Sequence, residues 1–373
     1  MKERIRKLIL WVMRRLPLCK RVLFFGYYGE QYSGSPKYIS RYMTKTGLGE
    51  RVIWAFTRPE KHAAYEGKSV RYGSLRFCYY LSTSAVVVTN YRMTQEFIKR
   101  KGQTYIQTWH SSLRLKMIEK DAEETLPPHY LAMAKQDSPQ IDYLLAGSQK
   151  SCEIFERAFW YDGKIVNCGT PQCDILFEDR TPLLEKVRAH YGLPTGSRIA
   201  LYAPTFRKNG DMSVYQLPFA EIADALGKKF GGEWYVLARL HPHLSARTDC
   251  IQYSDRVLQA TDYDDVQELL CAADVLLSDY SAIMFDFSVT GRPCFLYAPD
   301  RVAYTTKDRN LYFDMSDLPF PCAETAEELL EEIVSFSQEA YGQKIATFLD
   351  GIGSYDDGHA AERVYELIRE KIE

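Results

Sequence analysis

Ile199-Ala200-Leu201-Tyr202-Ala203-Pro204-Thr205-Phe206-Arg207 is a run of apolar residues closed by a proline, a hydroxyl and a cation. A strand half-exposed to water would alternate polar and apolar residues. This one does not, so it is predicted to be covered on both faces. The same grammar recurs. Tyr105–Trp109 runs into His110-Ser111-Ser112, Tyr235–Arg239 into Leu240-His241-Pro242-His243, and Val275–Ser278 into Asp279-Tyr280-Ser281. Further runs are Val22–Phe25, Val52–Phe56, Ala85–Thr89, Tyr143–Ala146 and Cys294–Tyr297.

Between these runs, apolar residues recur at helical spacing in Pro36–Thr46, Ser151–Phe159, Leu183–His190, Phe219–Phe230, Val266–Ala272, Ala282–Thr290 and Glu324–Ser337. Strands alternating with helices predict an α/β protein with two doubly wound parallel sheets. The polar stretch Glu178–Pro182 separates the two series and sets expected domains at 22–180 and 181–373. Ligands of such sheets sit outside the carboxyl ends of the strands. The side chains that close the strands are therefore expected around one cleft, with His110 and His241 facing each other across it. Ser281 has a second reading, as the cap of the helix that follows. A helix start there would also suit a phosphate.

A length of 373 residues fits two domains, and 46% hydrophobic with 13% aromatic residues is enough for packed cores. No apolar stretch approaches the roughly 18 residues of a membrane-spanning helix. The nine cysteines are scattered with no C-x-x-C pair, which argues against structural zinc and a disulfide framework and for a reducing compartment. There is no P-loop, no G-x-G-x-x-G after the first strand, no G-x-S-x-G elbow and no H-E-x-x-H. Asp279 and Asp286 are the best carboxylates for a divalent ion, but they form no convincing ligand set, so chemistry without metal or cofactor is expected.

Net charge is −2 and calls for no nucleic-acid partner, yet residues 1–21 carry Lys2, Arg4, Arg6, Lys7, Arg14, Arg15, Lys20 and Arg21 against Glu3 alone, a local +7. Ile5, Leu8, Ile9, Trp11, Val12, Met13 and Leu16 lie between them at spacings that favour one helical face. That pattern predicts a basic amphipathic helix over 1–21 lying on an anionic membrane surface. A terminal helix docked on the protein body is the alternative. A signal peptide fits less well, since the apolar core is short and has no small-residue cleavage site.

Taken together, the strand-end blocks resemble the CDP-glycerol glycerophosphotransferase family of teichoic acid primases and polymerases. The likeness runs from about Phe24 to Ile368. Its blocks are Tyr28-Gly29-Glu30-Gln31-Tyr32, Gln107-Thr108-Trp109-His110, Gly169-Thr170-Pro171 leading to Asp174, Ala203-Pro204-Thr205-Phe206-Arg207, Arg239-Leu240-His241-Pro242, Ser278-Asp279-Tyr280-Ser281, Arg309-Asn310-Leu311-Tyr312-Phe313-Asp314 and Asp356-Asp357-Gly358. The chain departs from the family pattern at Ser111-Ser112, Gln172-Cys173, Ala282 and Asn310.

The resemblance implies a GT-B fold of two Rossmann-like domains, with a CDP-alcohol donor held by the C-terminal domain. It also implies a lipid-linked saccharide on undecaprenyl diphosphate received by the N-terminal one, at the cytoplasmic face of the membrane. Glycerol phosphate, or a related polyol phosphate, would pass to an acceptor hydroxyl with release of CMP. The absence of a large domain ahead of the first strand favours a primase-like enzyme that adds one or a few units. His110 is expected to act as base, and His241 and Arg207 to neutralise the diphosphate as CMP departs. Thr205, Ser278, Asp279, Ser281 and Arg309 would complete the donor site, and Gln31, Tyr32, Trp109, Ser111 and Ser112 the acceptor site. A glycosyltransferase using a nucleotide sugar and a non-catalytic scaffold of a polymer-assembly complex are the rival readings.

Overall fold

The computed structural model describes residues 2–62, 65–207, 211–240, 250–307 and 310–373. The elements run α1 (Lys2–Met13), β1 (Cys19–Phe25), α2 (Gly34–Met43), β2 (Val52–Phe56), β3 (Lys68–Arg71), α3 (Leu75–Thr83), β4 (Ser84–Thr89), β5 (Thr104–Gln107), α4 (Pro128–Asp137), β6 (Tyr143–Ala146), α5 (Gln149–Ala158) and β7 (Lys164–Asn167). Then follow α6 (Thr181–Tyr191), β8 (Arg198–Tyr202), α7 (Phe219–Phe230), β9 (Trp234–Ala238), β10 (Val257–Gln259), α8 (Val266–Ala272), β11 (Val275–Ser278), α9 (Ile283–Ser288), β12 (Cys294–Tyr297), α10 (Arg301–Lys307), β13 (Cys322–Ala323), α11 (Ala326–Ser335), α12 (Gln338–Gly351) and α13 (Ala360–Ile372).

Two compact units result. The first holds residues 1–112, 118–174 and 354–373, the second 113–117 and 175–353. Each is built on one parallel sheet, ordered β3-β2-β1-β4-β5-β6-β7 in the first and β10-β9-β8-β11-β12-β13 in the second. This is the doubly wound α/β architecture expected. All nine strands anticipated from apolar runs are present, shifted by at most three residues. The four that were not anticipated, β3, β7, β10 and β13, are the outer strands of the two sheets. An outer strand pairs on one side only and needs no continuous apolar run: β3 is Lys68-Ser69-Val70-Arg71, with Val70 its one buried residue.

The expected division at residue 180 is corrected in two ways. The chain passes to the second unit at Ile175, and it returns to the first at Ser354. The return is driven by α13, whose Val364, Ile368 and Ile372 share one face and lie fully buried with Val22, Phe24, Val86 and Val88. Residues 113–117 also belong to the second unit, where Leu113 and Leu115 are fully buried and the Met117 N–H donates to the Asn310 carbonyl at 2.9 Å.

The N-terminal helix ends at Met13, well short of residue 21, because Cys19–Arg21 enter β1. Lys20 and Arg21 tie that strand down, donating to the Glu373 carbonyl and the Thr83 hydroxyl. α1 packs against α3 and buries Leu10, whereas Ile5, Leu8, Trp11 and Val12 are each 51–60% exposed. All nine cysteines are free thiols. Among the described residues, no helix is long and apolar enough to cross a membrane.

Candidate active site

In the first unit β5 stops at Gln107, whose side chain takes over the hydrogen bonding. Its Oε1 accepts the Trp109 N–H at 3.0 Å, and its Nε2 donates to the Tyr91 carbonyl and the Tyr105 hydroxyl, each at 2.9 Å. The turn sets Trp109 at φ +52, a left-handed conformation that costs a bulky residue roughly 1–2 kcal/mol. Packing holds it there. The indole is 5% exposed and meets Phe159 edge-on, with ring centroids 4.9 Å apart.

Arg92 braces this wall from behind. Its guanidinium carbon lies 3.7 Å from the Phe159 ring centre, and its nitrogens reach Ser138 Oγ (2.8 Å), Glu119 Oε2 (3.2 Å) and Asp137 Oδ2 (3.4 Å). Arg92, Glu119 and Asp137 are all buried. Burial pushes the Asp137 carboxyl up to about 6, with the charge of Arg92 pulling the other way. Tyr105 links this cluster to the turn, since its hydroxyl meets both Asp137 (3.3 Å) and Gln107.

The buried turn presents the next residue, His110, at the surface. Its imidazole stacks on Trp109 with ring centres 4.5 Å apart, and the Tyr91 ring lies 5.6 Å away. Imidazole is the side chain suited to exchanging a proton near neutral pH. The other residues expected to meet an acceptor divide differently. Ser111 and Ser112 are buried, and the Ser112 carbonyl accepts the Ser151 hydroxyl at 2.7 Å. Tyr32 packs edge-on against Trp54 at 4.8 Å. Gln31 is half-buried and accepts the Ser33 hydroxyl at 3.1 Å.

In the second unit the segment after β8 forms a closed ion cluster. Arg207 is 2% exposed. Its Nη1 donates to Asp279 Oδ2 and the Thr205 carbonyl, and its Nε to Asp300 Oδ2, each at 2.7 Å; Nη2 reaches Asp300 Oδ1 at 3.1 Å. Burial works against the charge, but the two carboxylates outweigh it and hold the guanidinium pKa above its ordinary value. Tyr280 donates to Asp300 at 3.1 Å and stacks face to face on Tyr304 at 4.0 Å. Arg207, expected to neutralise the diphosphate, is enclosed by two carboxylates of its own unit.

Ser278 is likewise enclosed, its hydroxyl donating to the Ala203 carbonyl at 2.8 Å. Asp279 accepts the Thr205 N–H at 2.8 Å and so shapes the turn that carries Thr205. The Thr205 hydroxyl has no partner among the described residues. Ser281 is half-buried and does not cap α9, whose N-terminus at Ala282 has no side-chain cap. Asp286 is buried and accepts from Gln267 Nε2 at 2.8 Å. Among the described residues no group of three or more His, Cys, Asp or Glu forms a metal site. His241 and Arg309 lie outside the described residues.

Arg92, Asp137, Tyr91 and Asp300 were missed by the sequence reading. The signal was available in part: Asn90-Tyr91-Arg92 follows Ala85–Thr89, and Ala298-Pro299-Asp300 follows Cys294–Tyr297, which are polar strand ends of the same kind.

The sequence model of the family described as CDP-glycerol:poly(glycerophosphate) glycerophosphotransferase matches residues 9–370. The chain belongs to this family. As a glycerophosphotransferase family member it is 32% identical over 367 residues to the teichoic acid poly(glycerol phosphate) polymerase of Staphylococcus epidermidis, covering 95% of this chain and 51% of that one. It is 28% identical over 373 residues to the teichoic acid glycerol-phosphate transferase of Staphylococcus aureus, covering 96% and 95%. The structure of the wall teichoic acid polymerase TagF superposes with a TM-score of 0.86 at 30% identity, over the whole of this chain and 94% of that one. The chain thus spans about half the length of the Staphylococcus epidermidis polymerase and nearly all of the transferase.

Proposed function

We propose that this glycerophosphotransferase family member transfers glycerol phosphate, or a related polyol phosphate, from its CDP-alcohol to a hydroxyl of a lipid-linked saccharide during teichoic acid or related polymer synthesis. The acceptor oxygen attacks the β-phosphorus, the bond from that phosphorus to the CMP oxygen breaks, and CMP leaves with the electron pair. His110 takes the hydroxyl proton. The observation that carries this reading is an exposed imidazole at the end of a central strand, held on a buried left-handed tryptophan, in a family of glycerophosphate transferases.

His241 and Arg309 meet the diphosphate, and Thr205 and Ser281 donate hydroxyl hydrogen bonds to it. Arg207, Asp279 and Ser278 act by fixing the turn that carries Thr205. Catalysis of this kind is mainly positioning and charge stabilisation, with little covalent work for the protein. α1 rests the enzyme on the anionic cytoplasmic face of the membrane through Ile5, Leu8, Trp11 and Val12, where an undecaprenyl-diphosphate-linked acceptor resides. Addition of one or a few units is the favoured outcome.

The test is donor profiling. The chain is incubated with a short lipid-diphosphate disaccharide and, in turn, CDP-glycerol, CDP-ribitol and nucleotide sugars, and the products are weighed by mass spectrometry. CMP release with an increment of one or a few glycerol phosphates is expected. Nucleotide release from a sugar donor alone would replace the reading with glycosyl transfer, and no transfer from any donor would leave the scaffold.

A further inference from the structure

We propose that the first unit binds a phosphate group of the acceptor at the start of α2, in the switch point between β1 and β4. This rests on the reading of the chain as a glycerophosphotransferase. β1 and β4 are neighbours in the sheet, and the chain leaves them toward opposite edges, to β2 and to β5. In doubly wound sheets the loops that diverge at such a point are where ligands bind.

α2 begins at that point without a side-chain cap. Its flanking Ser33 donates to Gln31 instead, and the first turn carries no acidic residue. The first backbone N–H groups of a helix lack internal partners and favour an anion. An independent feature points to the same place. Asn90 is 0% exposed, and its Oδ1 accepts the Tyr27 N–H at 2.9 Å. That bond turns the amide so that Nδ2 faces the helix start, 2.8 Å from where a side chain on Gly34 would begin. Nδ2 has no partner among the described residues, and neither has the Ser35 hydroxyl, which is 1% exposed.

Buried donors without acceptors are costly and rare, and an oxyanion at the helix start would satisfy the one that faces it. Gly34 lets the amide approach the backbone this closely: it sits at φ +69, and a Cβ there would lie 2.8 Å from Asn90 Nδ2 and 3.6 Å from Gln172 Oε1.

Proximity to His110 assigns the seat to the acceptor. The Tyr27 ring is 5.2 Å from Tyr91, and the Tyr91 ring is 5.6 Å from His110. One aromatic ring therefore separates the loop that orients Asn90 from the imidazole that takes the acceptor's proton. A phosphate seated at α2 holds the molecule whose hydroxyl reaches that imidazole.

The experiment uses the full chain with Asn90→Asp and Ser35→Ala. Asn90→Asp keeps the acceptor for Tyr27 and replaces the donor with a carboxylate that repels an anion. Ser35→Ala removes one donor from a position where alanine suits the helix. Each should raise KM for the lipid-diphosphate acceptor, about tenfold or more for Asn90→Asp, while KM for CDP-glycerol stays near wild type. In parallel, with the donor site saturated by excess CDP-glycerol, ³¹P line broadening of inorganic pyrophosphate by the chain should be present in wild type and in His110→Ala and lost in Asn90→Asp. Unchanged acceptor KM in both variants, a raised KM for CDP-glycerol instead, or pyrophosphate binding retained in Asn90→Asp would each overturn the proposal. If the wild type transfers nothing from CDP-glycerol, the functional reading fails, and the pyrophosphate measurement still decides whether the seat exists.

Discussion

His110 is held at the surface by a neighbour that is buried. Trp109 can keep its left-handed backbone because Gln107 takes its N–H and Phe159 walls its ring, so the imidazole has a fixed platform. Replacing His110 by alanine should lower kcat by roughly 10²–10⁴-fold with donor binding nearly unchanged, measured as CMP release and CDP-glycerol affinity. Near-normal CMP release would remove it from the role of base. Arg207 is a residue of the opposite kind, enclosed and fully paired. Arg207→Met would leave Asp279 and Asp300 confined together without a counter-charge. A loss of about 3–5 kcal/mol in urea unfolding is expected, because removing one partner of a buried pair exposes the desolvation cost of the other.

Among elements, α1 and α13 show how a helix face is chosen. α1 buries Leu10 against the body and leaves Leu8 and Val12 outward. Changing Leu8 and Val12 together to glutamine should leave the thermal midpoint unaltered yet abolish co-sedimentation with phosphatidylglycerol vesicles; retained binding would refute the membrane role of the helix.

α13 is capped by a residue far away in sequence. Asp174 accepts the Ala360 and Ala361 N–H groups at 3.0 and 2.7 Å, and burial nevertheless lifts its carboxyl to about 6, those hydrogen bonds pulling it down. Its folded pKa is raised above the ordinary 3.8, so the folded state binds more protons between the two values. The associated stability is complete below the lower value and is lost as pH rises through the upper one. The urea midpoint of wild type relative to Asp174→Asn should therefore increase from about pH 7 to about pH 5. A difference independent of pH would show that Asp174 does not titrate in this range.

Across the whole molecule, the last helix belongs to the unit that began the chain. Truncation after His359 should strip protection from amides of β1 and β4 in hydrogen exchange, since Val364, Ile368 and Ile372 are fully buried beside those strands, and leave β8, β9 and β11 protected. Loss of protection in the second unit instead would contradict this division.

Composition and periodicity alone determined the α/β class, the inner strands and the residues at their ends, because a strand covered on both faces must be apolar throughout. The outer strands escaped notice, since a strand paired on one side is free to be polar, as Lys68–Arg71 is. Only the tertiary structure decided which strand-end residues are presented and which are enclosed. His110 and Arg207 look equally available in sequence, but the carboxylates that enclose Arg207 come from residues 279 and 300. Hydrogen bonds and ion pairs across such separations depend on where the folded chain brings atoms together, and no local pattern records that.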